Sequence, residues 1–336
     1  MEGKKERDAL FDNARAVLIF LVIVGHLLSD HLSGATKLAG PRLLKEIYFA
    51  INMFHMPAFV FITGYFSKNT EKGREGAVKN FLMPYLVFNT IFALQSYWFS
   101  GKILKFTDGY KVFAPQFGMW FFLACFIWKL LAKDIDRLRG GVPLCLALGL
   151  LLPVLPGFDT MFTIGRVIGF LVFFAAGLKC RSEWIERLRM IPAWIGGVVL
   201  ALGAVISGWL AQDGWMKQET LYLRKSYVDE KKLDYLLMRV VFYLLASVMT
   251  LAFLVLMTRK RCFLTEIGQN TLTVYVLHLI LIDRFRDLEL WMDQHYLYLI
   301  LSLPLAALLT WALSRPCVRQ CYDKVMGTIN RICFKE

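Results

Sequence analysis

Charged residues are scarce in this chain, and long hydrophilic stretches are missing altogether. Asp, Glu, Lys and Arg make up 19% of the 336 residues, whereas 57% are hydrophobic and the mean hydropathy is +0.51. A soluble domain of this length does not need so much apolar surface. The first apolar run is not followed by a small-residue cleavage site, so we interpret it as a retained helix and not as a signal peptide. The composition therefore predicts an all-α, polytopic integral membrane protein.

Three other features are missing, and each absence reduces the number of possible functions. No recognisable nucleic-acid-binding module accompanies the basic residues, so we predict no nucleic-acid partner. Cys317 and Cys321 lie four residues apart but have no further paired ligands, so no metal site is predicted. The two halves of the chain show no convincing similarity, which counts against the internal repeats common in transporters.

Ten apolar segments follow one another along the chain, and we interpret them as membrane spans. They lie near residues 14–32, 46–66, 80–99, 116–132, 142–156, 162–178, 191–211, 235–257, 264–283 and 296–314. The fifth is short and bracketed by Pro143 and Pro156, so a tilted or broken helix is the alternative to a clean crossing. We expect one membrane-embedded domain over 1–336, with spans over about 14–315 and a cytoplasmic amphipathic tail at 316–336.

The positive charges test the number of spans independently. If the N-terminus is cytoplasmic, 24 of the 39 Lys and Arg residues fall in inner segments and 13 in outer ones. The positive-inside rule therefore favours ten spans with both termini in the cytoplasm. The seven cysteines agree, since none falls in a predicted outer loop, and no disulfide framework is expected. The formal charge of +13 then arises mostly from the inner loops, which face anionic membrane lipid and are also where a polyanionic cytosolic substrate would be met.

Arg15 stands at the start of the first apolar segment, and His26 stands inside it. Eleven helical positions return to the same face about 16 Å further along, so both side chains look into one space. An ionisable residue inside a span is a functional-site hypothesis, because lipid does not solvate it. Asp30, four residues after His26, is placed to orient the imidazole as a general base for a hydroxyl. Alternatively, Asp30 and His31 only mark the solvated end of the helix.

Further ionisable side chains fall at about the depth of His26 in other predicted spans: His55, Arg166, Arg239 and His278. Such groups are costly in lipid, so we expect them to line a polar cavity between helices. Structural hydrogen bonds between helices are the alternative for the two histidines. Tyr275 lies three residues before His278 on the same face. Trp120 opens its span either as an interfacial anchor or as a site residue.

Small residues predict where helices approach closely, because a glycine without a Cβ lets two backbones touch. Gly64, beside Thr63, favours such an approach near the inner face. Gly165, Gly169 and Gly177 suit tight packing around Arg166.

Together these residues resemble the acyltransferase 3 family of integral-membrane O-acyltransferases. The resemblance rests on Arg15 and His26 with ten residues between them, the stretch FHMPAFVFITG, the Trp120 segment, Arg166 with its following glycines, and VYVLH. It covers nearly the whole chain in the expected order. The opening FDNARAVLIFLVIVGH is particularly similar to the sugar O-acetylase branch, also called fucose 4-O-acetylase. The chain departs from the family pattern at Thr63-Gly64, where Ser-Gly is usual.

The resemblance implies transfer of an acyl group, usually acetyl from acetyl-CoA, to a hydroxyl of a cell-envelope carbohydrate or glycolipid at the bacterial plasma membrane. By the same resemblance His26 is catalytic and Arg15 holds the donor. His55, Arg166, Tyr275 and His278 then line the site. Acyl-CoA would be a co-substrate, with no bound cofactor. Some members carry a fused extracytoplasmic domain that completes the transfer, whereas only a short tail follows the tenth predicted span of this sequence. We therefore expect acylation either to be direct or to use a separate extracytoplasmic partner.

Two other functions stay open from the residues themselves. A proton-coupled carbohydrate or lipid transporter or flippase would use the histidines as a relay and Arg166 and Arg239 as substrate ligands. A haem protein with two histidine ligands would need imidazoles that face each other. Binding of acetyl-CoA separates the enzyme from the transporter, and colour separates the haem protein from both.

Overall fold

The computed structural model describes residues 9–34, 42–100, 114–116, 118–155, 163–224, 226–227, 231–285 and 295–334. Within these residues the regular secondary structure is entirely helical, which confirms the all-α prediction. The helices are α1 (Leu10–Gly34), α2 (Arg42–Tyr65), α3 (Thr70–Glu75), α4 (Met83–Ser100), α5 (Trp120–Arg137), α6 (Gly141–Leu151), α7 (Ile164–Lys179), α8 (Ser182–Leu188), α9 (Ala193–Gln212), α10 (Gln218–Leu221), α11 (Lys232–Leu256), α12 (Phe263–Gln269), α13 (Thr271–Phe285), α14 (His295–Leu313) and α15 (Pro316–Cys333). A π-helical turn at Val78–Leu82 leads into α4, and a 3-10 turn at Leu152–Val154 follows α6.

Within the described residues, each of the ten predicted apolar segments falls largely on helix. In the described part of the chain, five helical stretches are long and apolar enough to cross a membrane: Leu10–Ser29, Arg42–Tyr65, Ala193–Gln212, Lys232–Leu256 and Tyr296–Leu313. Two shorter apolar stretches are Gly141–Val154 and Thr271–Ile282. The chain is therefore a helical membrane protein. The count of ten spans stays a prediction.

The segment predicted at 264–283 is divided into two helices. Asn270 lies between them, and its side-chain amide donates a hydrogen bond of 2.8 Å to the main-chain oxygen of Ser314. The side-chain oxygen of Asn270 accepts a hydrogen bond of 2.9 Å from Arg319. These contacts with a distant part of the sequence stabilise a break that the apolar pattern does not reveal.

The chain folds as two compact units. The first unit lies within residues 1–59, 182–213 and 245–322, and the second within 60–181, 214–244 and 323–336. Three helices, α2, α11 and α15, contribute residues to both. The predicted single domain over 1–336 stays a prediction.

Helix α1 is the buried centre of the first unit. It packs against α12, α13 and α14, and its apolar side chains, including Leu18, Ile23 and Leu28, are buried. The outer helices α9 and α14 instead expose large apolar side chains: Leu202, Val205, Trp209, Ile300 and Trp311. Such a surface suits contact with lipid.

In the second unit, α5, α6 and α7 pack on one another, and the end of α2 crosses α7 at two glycines. A Cβ atom at Gly64 would lie 2.1 Å from the main-chain oxygen of Phe174, and one at Gly177 would lie 2.0 Å from that of Phe61. The two backbones therefore touch, as the small residues predicted. A Cβ at Gly165 would likewise lie 2.7 Å from the main-chain oxygen of Arg224.

Candidate functional site

The start of α1 is tied to the segment that follows α11 by one buried amide. The side-chain amide of Asn13 donates to the main-chain oxygens of Thr258, at 2.8 Å, and Lys260, at 3.1 Å. The oxygen of the same amide accepts a hydrogen bond of 2.7 Å from the Thr265 hydroxyl. Helix α12 also meets α1 backbone to backbone, since a Cβ at Gly268 would lie 1.7 Å from the Asp12 oxygen. The entry of α1 is therefore held rigidly within the first unit.

Asn13→Ala should destabilise the protein. The change leaves two main-chain carbonyls and one buried hydroxyl without their shared partner. We expect a loss of at least about 3 kcal/mol in the free energy of unfolding, because three polar groups lose their partner and each costs roughly 1–3 kcal/mol. Thermal unfolding in detergent measures the effect. An unchanged midpoint would show that these hydrogen bonds do not stabilise the fold.

Arg15 forms an ion pair with Asp12, which precedes it by one turn of α1. The side chain of Asp12 is 2% exposed and that of Arg15 is 22% exposed. The second oxygen of Asp12 accepts a hydrogen bond of 3.4 Å from the side-chain amide of Gln269 on α12. A carboxylate fixed from both sides limits where the guanidinium can point. Asp12 is thus a positioning residue for Arg15.

His26 lies half-buried on α1, and the structure brings it to His278 on α13. The centroids of the two imidazole rings are 5.5 Å apart, with 34° between the ring planes. His278 is fully buried. The ring of Tyr275 meets it edge-on at 5.6 Å, so three of the predicted site residues form one cluster in the first unit. The sequence pattern predicted that these histidines lie at one depth, and in the structure their rings are close enough to interact.

The hydrogen bond that holds His278 decides which ring nitrogen is available. Nδ1 of His278 lies 2.9 Å from the main-chain oxygen of Val274. A carbonyl oxygen can only accept, so Nδ1 carries the proton and donates it, and the neutral ring keeps its lone pair on Nε2. His55 on α2 is held in the same way, with Nδ1 donating to the main-chain oxygen of Ile51 at 2.8 Å. His55 is also buried.

Asp30, predicted to orient His26, lies within α1, but its side chain is outside the described part of the structure. Its predicted role therefore stays a prediction. Among the described residues, no group of three or more His, Cys, Asp or Glu side chains is gathered as a metal site would require.

Arg166 and Trp120 belong to the second unit, where they lie together. The guanidinium of Arg166 stands 5.3 Å from the ring centroid of Trp120 and 5.1 Å from that of Tyr222. Trp120 is buried and also stacks on Phe170 at 5.3 Å. Two aromatic faces therefore hold one cation, an arrangement that favours Arg over Lys.

Arg239 is 3% exposed in the second unit and makes contacts typical of a structural cation. Its guanidinium donates to the main-chain oxygen of Gly149 at 3.0 Å and stands 5.3 Å from the ring of Tyr227. Burial raises the pKa of Tyr227, and the charge of Arg239 opposes that shift. These contacts connect α11 to α6 and to the segment before α11.

The sequence did not single out Asp12, Asn13 or Tyr222. Asp12 and Asn13 follow directly on Phe11, where two polar residues at the start of a helix look like an exposed cap. Their burial depends on a segment almost 250 positions later. Only the placement of an acidic residue one turn before Arg15 could have suggested the ion pair from sequence.

Apolar helices long enough to cross a bilayer, with ionisable side chains buried among the described helices, define an α-helical membrane protein. The model of the acyltransferase 3 family, described as an acyltransferase domain, matches residues 8–315. The chain therefore belongs to the acyltransferase 3 family, and its class of enzyme is acyltransferase.

Two curated relatives match shorter parts of the chain. A nodulation protein NolL of Mesorhizobium japonicum is 36% identical over 95 residues, which are 26% of this chain and 25% of that protein. A nodulation protein NolL of Sinorhizobium fredii is 40% identical over 68 residues, which are 20% of this chain and 18% of that protein. The matched regions thus span a quarter or less of either relative. No solved structure gives a significant match.

Proposed function

We propose that the chain is a membrane O-acyltransferase that moves an acyl group, most simply acetyl, from acyl-CoA to a hydroxyl of a cell-envelope carbohydrate or glycolipid. The observation that carries the proposal is the pair of imidazoles 5.5 Å apart at the buried meeting of α1 and α13, in a chain of this family. A buried imidazole suits acyl transfer, because it can take a proton from a hydroxyl or carry an acyl group itself.

The donor end of the proposal rests on the start of α1. CoA is a polyanion, and the planar fork of Arg15 can donate two hydrogen bonds to a phosphate. The segment that Asn13 binds supplies further positive charge, since Lys260 and Arg261 there are exposed. In the topology favoured by the positive-inside rule, this end of α1 faces the cytoplasm, where acyl-CoA is made.

At the reaction centre, His26 either deprotonates the acceptor hydroxyl or relays the acyl group, and positive side chains stabilise the developing oxyanion. The proposed setting is the bacterial plasma membrane, with ten spans and both termini cytoplasmic. No cofactor is required besides the acyl-CoA co-substrate. A separate extracytoplasmic partner would complete the transfer wherever the acceptor is not presented directly.

Acetyl-CoA should stabilise the purified protein against heat and should be cleaved by it. Ligand that binds only the folded state adds about 2.7 kcal/mol at 100 times its dissociation constant. We expect a rise in the unfolding midpoint with acetyl-CoA in detergent, together with slow release of the CoA thiol. Arg15→Ala should raise, at least tenfold, the acetyl-CoA concentration needed to produce the same rise in the unfolding midpoint.

Arg42→Ala is the matched control, because Arg42 is exposed and pairs with Glu46 far from the start of α1 in the chain. It should keep the full effect of acetyl-CoA. The transporter hypothesis would be favoured over the enzyme hypothesis by two results together. Acetyl-CoA would neither stabilise the native protein nor release its thiol, and a pH gradient would drive a carbohydrate or lipid across vesicle membranes.

A further inference from the structure

One buried ring nitrogen of His278 has no hydrogen-bond partner among the described residues. That atom is Nε2, while Nδ1 is engaged with the Val274 oxygen. The side chain is fully buried, so bulk water does not solvate it. An unpaired polar atom in such a place costs free energy that a bound ligand would recover.

We propose that Nε2 of His278 binds the hydroxyl of the acyl acceptor and takes its proton during transfer. This inference rests on the function proposed above and assigns the acceptor's side of the reaction to a residue other than His26. It makes His278 a catalytic residue, because its nitrogen touches the attacking oxygen.

The chemistry of the atom selects the ligand. With Nδ1 protonated, Nε2 of the neutral ring offers only a lone pair, so its partner must be a hydrogen-bond donor. A hydroxyl is such a donor and is neutral, and it enters a buried site at a far smaller desolvation cost than an ammonium group.

The surroundings of the ring support a fixed direction for that lone pair. The Val274 hydrogen bond anchors one side of the imidazole, and the edge-on ring of Tyr275 packs at 5.6 Å. His26 lies on the neighbouring helix with its ring centroid 5.5 Å away. The acceptor hydroxyl would therefore be held on the ring that neighbours His26, where the acyl donor is proposed to react, as a reaction between two bound substrates requires.

The proton and bond changes balance without another reactant. As the acceptor oxygen forms its bond to the acyl carbon, the O–H bond breaks and the proton passes to Nε2 of His278. The thioester C–S bond breaks with its electron pair on sulfur. The proton then moves from the imidazolium to the CoA thiolate, so the products are the acyl ester and the free thiol.

The test compares two amides at position 278. Asn places its amide near the position of Nδ1, whereas Gln reaches the position of Nε2 and can still accept a hydrogen bond there, although it cannot take a proton. Membranes that contain each variant are supplied with radiolabelled acetyl-CoA, and alkali-labile acetyl groups are measured in the extracted lipids and polysaccharides. The rate is followed against acetyl-CoA concentration, so that kcat and the donor KM are separated.

His278→Asn should lower kcat by about 100-fold, as expected for loss of a general base, with little change in the donor KM. His278→Gln should lie between Asn and the native enzyme, because it still orients the hydroxyl. Thr250→Val is the matched control. The Thr250 hydroxyl is also buried without a partner in the described structure of the first unit, and no step uses it. It should keep the native rate.

Each other outcome overturns the inference. An Asn variant as active as the native enzyme, or at least as active as the Gln variant, would show that Nε2 does no chemistry. Loss of acetyl-CoA stabilisation in both variants would mean that His278 is structural. If the native enzyme itself neither binds acetyl-CoA nor releases thiol, the proposed function fails, and not merely this assignment.

Discussion

Replacing His26 with alanine should abolish acyl transfer while leaving the protein folded in the membrane. His26 is half-buried, and its ring meets that of His278 at 5.5 Å, so the change removes an imidazole and little of the packing. Loss of a group that transfers protons or carries the acyl chain costs about 100- to 10,000-fold in rate. We expect the label incorporated from acetyl-CoA to fall at least 1,000-fold, roughly the middle of that range or beyond.

Leu21→Ala on the same helix is the control for lost side-chain volume, since Leu21 is also half-buried. That variant should keep its activity. Acetyl-CoA should still raise the unfolding midpoint of His26→Ala, because Arg15 and its partner Asp12 are unchanged. Full activity in His26→Ala would remove this residue from the mechanism.

Gly177→Ala should prevent correct folding of the second unit. The new methyl group would lie 2.0 Å from the main-chain oxygen of Phe61, and that oxygen belongs to a helix that cannot shift at one residue alone. Helices α2 and α7 would have to separate, and the packing around Trp128 and Phe174, whose rings stack at 5.6 Å, would be lost. Overpacking of this kind costs about 3 kcal/mol or more.

Size-exclusion chromatography and thermal unfolding in detergent measure the effect. Gly64→Ala meets the same crossing from the other helix, so the double variant should be less destabilised than the sum of the two single changes. Gly327→Ala is the control, because a Cβ there meets nothing within 4 Å and alanine favours the helix by about 1 kcal/mol. A native-like midpoint for Gly177→Ala would show that the crossing tolerates a methyl group.

The helices could be predicted from sequence because apolar runs bounded by charged or turn-forming residues report local structure. Close packing at Gly64 and Gly177 could be predicted as well, since glycine inside an apolar helix has few other uses, but the sequence did not show that these two glycines meet at one crossing. The break at Asn270 could not, because it depends on Ser314 and Arg319 and on nothing nearby in the chain.

The candidate site shows the same limit. Arg15, His26 and His278 could be named from their chemistry, since ionisable side chains are rare in a span. Asp12 and Asn13 looked like ordinary helix-capping residues, because their partners on α12 and in the segment before it are distant in sequence. One hydrogen bond, made by Nδ1 of His278, leaves Nε2 as the ring nitrogen without a partner in the described structure. No sequence pattern distinguishes Nδ1 from Nε2.

The long separation between the two histidines has a consequence for synthesis. The first unit needs residues 245–322 to surround α1, and His278 follows His26 by about 250 residues. At about 5–20 residues per second, roughly 10 to 50 s pass between the synthesis of the two. During that time Arg15 and His26 of α1 lack the helices that later pack around them. Lipid headgroups or the insertion machinery must therefore solvate these side chains until the last helices are inserted.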